Sequence, residues 1–69
     1  MHKYLVIFEK ARENYSAYSP DLPGCIATGK TRKAVEKNIK EAISFHIKGL
    51  QEDGLPLPEP ASFTEYVEV

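Results

Sequence analysis

Sixty-nine residues, 42% hydrophobic and 28% charged, describe one small globular domain rather than a disordered chain. A net charge of −1 supplies no overall basic field for nucleic acid. The longest apolar run, Tyr4-Leu5-Val6-Ile7-Phe8, falls far short of a membrane span or a secretory leader core, so a cytoplasmic address is expected.

A chain this short buries only about 60% of the surface its unfolded form exposes. Natural domains of this size gain stability from disulfides, metals or partners. The single cysteine, Cys25, excludes an intrachain disulfide, and His2 and His46 stand far apart without neighbouring thiols, so no zinc site is expected. Self-association as a homodimer or higher oligomer, or docking to another protein, is the expected source of the missing stability. Charge is distributed unevenly: residues 1–40 carry eight Lys or Arg against four acids, whereas residues 41–69 carry Lys48 against six acids. Such a polarity can orient a charged partner, although ordinary scatter of surface charge accounts for it equally well.

Residues 3–9 are β-branched and aromatic with charges only at the ends, the pattern of a strand covered on both faces or nearly so. Polar residues 10–14 suit a hairpin loop. Residues 15–19 alternate Tyr15, Ala17 and Ser19 against Ser16 and Tyr18, as in a second strand with one wetter face. The run Ser19-Pro20-Asp21-Leu22-Pro23-Gly24-Cys25 is the strongest punctuation in the chain. Pro23-Gly24 predicts a type II turn, because proline presets φ at the first central position and glycine supplies positive φ at the second. Residues 25–28 then form a short third strand, ended by Gly29-Lys30, and Thr31 is a natural N-cap.

The next element is a helix over about residues 32–53. An apolar arc gathers Ala34, Val35, Ile39, Ala42, Ile43, Phe45 and Leu50, with His46 near its middle, and the opposite arc is charged. Gly54, between Asp53 and the later Pro56, stops it. Pro56, Pro58 and Pro60 make residues 55–61 an extended connector that cannot enter a sheet centrally. Residues 63–69 read as a last strand, with Phe63, Val67 and Val69 on one face and Tyr66 on the other. The expected fold is α+β, in the order β-β-β-α-β. It has a three-stranded antiparallel meander, one helix on one sheet face, and a fourth strand parallel to a neighbour through a right-handed crossover.

Gly24-Cys25-Ile26-Ala27-Thr28-Gly29-Lys30-Thr31 fits the spacing of a phosphate-binding loop. No buried strand delivers it, its middle residues read as strand, and no later apolar run ends in a magnesium-binding aspartate, so the match is coincidental. His46 reads as a packed histidine with a hydrogen-bond partner, since no nucleophile with a supporting carboxylate stands beside it. Cys25 reads as a small buried hydrophobe rather than a reactive thiol. Glu9 and Glu65 near strand ends do not converge with Glu36 and Glu41 on the helix's polar side. Arg32, Lys33, Lys37 and Lys40 form an ordinary solvated helix face. Neither an enzyme nor a cofactor is expected from these residues, and nucleic-acid binding by this chain alone is not expected.

Over residues 4–69 the sequence resembles the HicB antitoxin family. The resemblance rests on Pro20-Asp21-Leu22-Pro23-Gly24-Cys25, then Gly29 and Thr31, then Asn38, Glu41 and Ala42 within Asn-Ile-Lys-Glu-Ala-Ile, then Gly54 and Pro58 of the Pro-rich exit. It implies a partly degenerate ribonuclease H-like fold. It also implies an antitoxin that covers the catalytic histidine and RNA surface of a HicA-type toxin, a small mRNA interferase. An orphan, self-associating domain with another protein partner is the alternative. Family members often continue into an operator-binding helix-turn-helix or ribbon-helix-helix domain; residues 1–69 are expected to form a single domain without one. Ala34 replaces the capping-box glutamate of relatives, leaving Thr31 to cap without a reciprocal partner.

Overall fold

Local turn chemistry sets out the first half of the fold in the computed structural model, which describes residues 2–69. Met1, the first residue of the expected domain, lies outside the described residues. Strands β1 (Ile7–Lys10), β2 (Tyr15–Tyr18) and β3 (Ile26–Gly29) form an antiparallel sheet in the order β1-β2-β3. Phe8 pairs with Ala17, which pairs with Ala27, while Ile7 pairs with Tyr18, which pairs with Ile26. Because side chains alternate across a strand, these two rows lie on opposite faces.

The Pro23-Gly24 turn is type II as the sequence requires. The Cys25 amide donates to the Leu22 carbonyl at 3.0 Å, and Gly24 has φ +83°. A wider link, Ser19 N–H to the Cys25 carbonyl at 3.3 Å, closes the base of the loop.

Helix α1 (Arg32–Glu52) begins where Thr31 Oγ1 accepts the Ala34 amide at 3.0 Å. It ends in a Schellman motif: Gly54 N–H donates to the Gln51 carbonyl, Leu55 N–H reaches back to Leu50, and Gly54 takes φ +68°. These bonds satisfy carbonyls that a helix end otherwise leaves open. The helix lies over β3 and β2 and leaves β1 uncovered. Between helix and sheet sit Ala17, Val35 and Ile39, flanked by Val6, Tyr15, Ala27, Ala42 and Ile43. Leu22 and Cys25 are buried apart from that cluster, in the β2–β3 loop.

Three expectations are corrected. The first strand begins at Ile7 rather than residue 3, because β2 ends at Tyr18 opposite Ile7 and leaves residues 4–6 without a partner. Phe45 does not join the core but stands 81% exposed; a three-stranded sheet is too narrow to reach that flank of a wide apolar arc. The fourth strand does not form within the chain. Residues 63–69 have no sheet partner, and all are exposed.

The physical cause of that last difference is an anchor. Asp21 Oδ1 accepts the Ser62 hydroxyl at 3.0 Å, and its Oδ2 accepts the Ser62 amide at 3.2 Å. The Tyr4 hydroxyl donates to the Pro58 carbonyl at 2.6 Å. Residues 63–69 therefore follow directly on a residue tied to the β2–β3 loop. The Cα radius of gyration, 13.3 Å, exceeds the roughly 11 Å of a compact chain this long, in keeping with an outlying tail.

Candidate docking surface

The Pro20–Cys25 loop carries apolar surface on two sides. On the open sheet face, the row Ile7, Tyr18, Ile26 runs across all three strands, with Ile26 65% exposed. There, Tyr18, Pro20, Pro23 and Ile26 line a shallow depression of about 430 Å³. On the helix side, Cys25, Ala42, Phe45, His46 and Leu50 line a second groove of about 430 Å³. Gly24 and Cys25 belong to both. Exposed aromatic and aliphatic side chains around a rigid turn are the composition of a protein-binding patch.

Cys25 and His46, far apart in sequence, thus meet at one groove. Burial pushes the Cys25 thiol above its ordinary value, and a raised pKa removes the thiolate on which reactivity depends. His46 is half-buried, and the hydrogen-bond partner expected of its ring is not found among the described residues. Ser19 Oγ, beside this loop, is buried with no hydrogen-bond partner among the described residues.

The segment 24–31 is a turn, a buried cysteine and a strand, and so cannot wrap a phosphate as its spacing suggested. Glu9, Glu36, Glu41 and Glu65 are exposed, and no cluster that could hold a metal occurs among the described residues. Arg32, Lys33, Lys37 and Lys40 are exposed along the helix.

Several of the motif residues have structural work that the sequence did not disclose. The Asn38 side-chain amide donates to the Thr28 carbonyl at 2.8 Å, tying the helix to β3 at the sheet's edge. Asp21 holds Ser62 through both carboxylate oxygens. Burial alone would raise the Asp21 carboxyl, but hydrogen bonds from the Ser62 amide and hydroxyl and the Ala61 amide outweigh it and hold the pKa below the ordinary 3.8. A depressed carboxylate contributes stability above its ordinary value and loses it as pH falls through the depressed one. The Ser62 amide resonance should therefore titrate with a midpoint below 3.8; a midpoint at or above that value would exclude the anchor. The Tyr4 hydroxyl is raised by burial and by the Glu59 and Asp21 charges, which keeps it a donor to Pro58.

Among the described residues no helix is long and apolar enough to cross a membrane. A family model described as a HicB-like antitoxin of bacterial toxin-antitoxin systems matches residues 4–69. A 14.9 kDa protein from the rep-hol intergenic region of Haemophilus phage HP1 is 41% identical over 64 residues; the match takes in 93% of this chain and 48% of that protein. The chain therefore spans about half the length of its phage relative. A UPF0150 protein of Thermoplasma acidophilum is 42% identical over 57 residues, covering 81% of this chain and 83% of that one. Among solved structures, a chain of the HicA3 and HicB3 toxin-antitoxin complex superposes with a TM-score of 0.70 at 37% identity. That superposition covers 87% of this chain and 70% of the other.

Proposed function

Because the chain belongs to the HicB-like antitoxin family, we propose that it binds a HicA-type toxin and blocks it sterically, without catalysis of its own. The observation that carries this reading is the similarity, in both fold and sequence, to a chain of the HicA3 and HicB3 complex. The surface around the Pro20–Cys25 loop supports it, since steric inhibition needs a firm apolar patch and no reactive group. On this reading the sheet is a degenerate ribonuclease H-like one, the protein works in the cytoplasm, and Ile26 and Phe45 touch the toxin.

Co-expression with the HicA-type toxin from the same locus tests it. Growth should be rescued, a stable complex should co-purify, and RNA cleavage by the toxin should stop when the two are mixed. Ile26→Asp and Phe45→Asp change exposed side chains, so they should weaken the complex while leaving the helix signal in circular dichroism intact. A toxin that cleaves RNA undiminished in the presence of excess wild-type protein would refute the proposal. The exposed tail at residues 63–69 favours one addition: the same domain also associates with itself.

A further inference from the structure

The strand missing from the sheet is present in the chain's own sequence, unpaired. Residues 63–69 have the β-branched and aromatic pattern of a strand, yet Phe63 is 81% and Val67 74% exposed, and Tyr66 and Val69 are fully so. Held by Asp21, the tail leaves from the β2–β3 loop and does not lie along its own β1.

The two edges of the sheet are not equivalent. At β3 the Asn38 side chain occupies the Thr28 carbonyl and the helix packs closely overhead. At β1 no further strand pairs with the outer edge among the described residues, the helix is displaced away, and Phe8 is 43% exposed. An uncovered edge of this kind is a template for an incoming strand. Lengths agree: seven tail residues span about 23 Å, enough to run beside β1 and the unpaired residues 4–6 before it. Charges agree as well. The tail carries Glu65 and Glu68 with no basic residue, while residues 2–12 carry Lys3, Lys10 and Arg12 against Glu9.

We propose that residues 63–69 add as a strand to the β1 edge of a second copy of this chain, and that two copies exchange tails in a closed dimer. An exchange of identical segments is isologous, so it closes at two copies rather than propagating. It completes each sheet as a four-stranded one, with the tail's apolar side chains drawn from water, and it supplies the stability that a small unstapled domain lacks. The proposal needs no toxin; it rests on the self-association named above and says how it is made.

Light scattering of the full chain should give twice the chain mass. Tyr66 and Val67 are adjacent, so one of their two amides must point into the ladder. Of the single variants Tyr66→Pro and Val67→Pro, at least one should halve the mass with the helix signal unchanged. In a mixture of labelled and unlabelled protein, isotope-filtered NOEs should connect tail protons to β1 of the other copy. A wild-type monomer, an open-ended series of oligomers, a dimer indifferent to both prolines, or tail-to-β1 NOEs confined to one chain would each overturn the proposal.

Discussion

Replacing Gly29 with alanine should remove much of the domain's stability. A Cβ at that position would lie 2.5 Å from the Val35 amide nitrogen and 2.9 Å from both the Ala34 carbonyl carbon and the Val35 Cα. All three are backbone atoms of the first turns of α1, so no side chain can rotate aside. The helix cannot yield easily either. Its start is fixed by the Thr31 cap, its flank by the Asn38–Thr28 hydrogen bond, and its underside by the buried Val35 and Ile39. Accommodating a methyl group means lifting the helix from β3, and a radial gap of roughly 0.5–1 Å already forfeits a quarter to a half of the dispersion energy across an interface. Overpacking of this kind costs about 1–3 kcal/mol and occasionally more. A single core in a domain this small rarely supplies more than about 3–5 kcal/mol. Gly49 provides the contrast: a Cβ added there would meet nothing within 4 Å, and alanine in a helix interior gains about 0.5–1 kcal/mol over glycine. Urea denaturation should show Gly29→Ala with a strongly lowered midpoint and Gly49→Ala with a raised one. A Gly29→Ala midpoint equal to wild type would show that β3 and α1 do not approach this closely.

Gly29 also illustrates what could be read from the sequence. It could be marked as the residue that ends a strand before Thr31, yet the reason that nothing larger fits is a contact with residues five and six positions on, across a layer. Features whose partners lie within one turn were legible: the Pro23-Gly24 turn, the Thr31 cap and the Gly54 stop are each specified by the backbone needs of a few adjacent residues. Features that depend on a partner elsewhere were not. Strand propensity at residues 63–69 is plain, but propensity does not name the strand that pairs with it, and the anchoring of Ser62 by Asp21 depends on residues far apart in sequence. Phe45 fits an apolar arc on a helical wheel; how wide a sheet lies beneath that arc is a matter of topology. At the docking surface, the loop itself could be recognised, whereas the meeting of Cys25 with His46 and the row from Ile7 to Ile26 required the register.

The loop's rigidity can be tested through Leu22. Its side chain is 0% exposed, the largest of those fully buried, and lies outside the Ala17–Val35–Ile39 cluster. Leu22→Ala removes three carbons from a site flanked by Pro20 on one side and the Pro23-Gly24 turn on the other, where proline and the turn hydrogen bond oppose collapse. Truncations of this kind cost about 2–5 kcal/mol, with the larger values where the surroundings cannot relax. The expected loss therefore approaches the whole stability of the domain. The consequence reaches beyond stability, because the same loop presents Tyr18, Pro23 and Ile26 on one side and holds Ser62 through Asp21 on the other. Near the folded limit, in a stabilising osmolyte, Leu22→Ala should lose the Ser62 amide's dependence on the Asp21 carboxyl as well as part of its denaturation midpoint. Ile26→Ala, on the exposed face, should leave both within experimental error, since surface substitutions usually fall within about 0.5 kcal/mol of wild type. A Leu22→Ala midpoint close to that of Ile26→Ala would mean that the loop is not built around this side chain, and that the apolar surface it presents lacks the firm support that docking by steric exclusion requires.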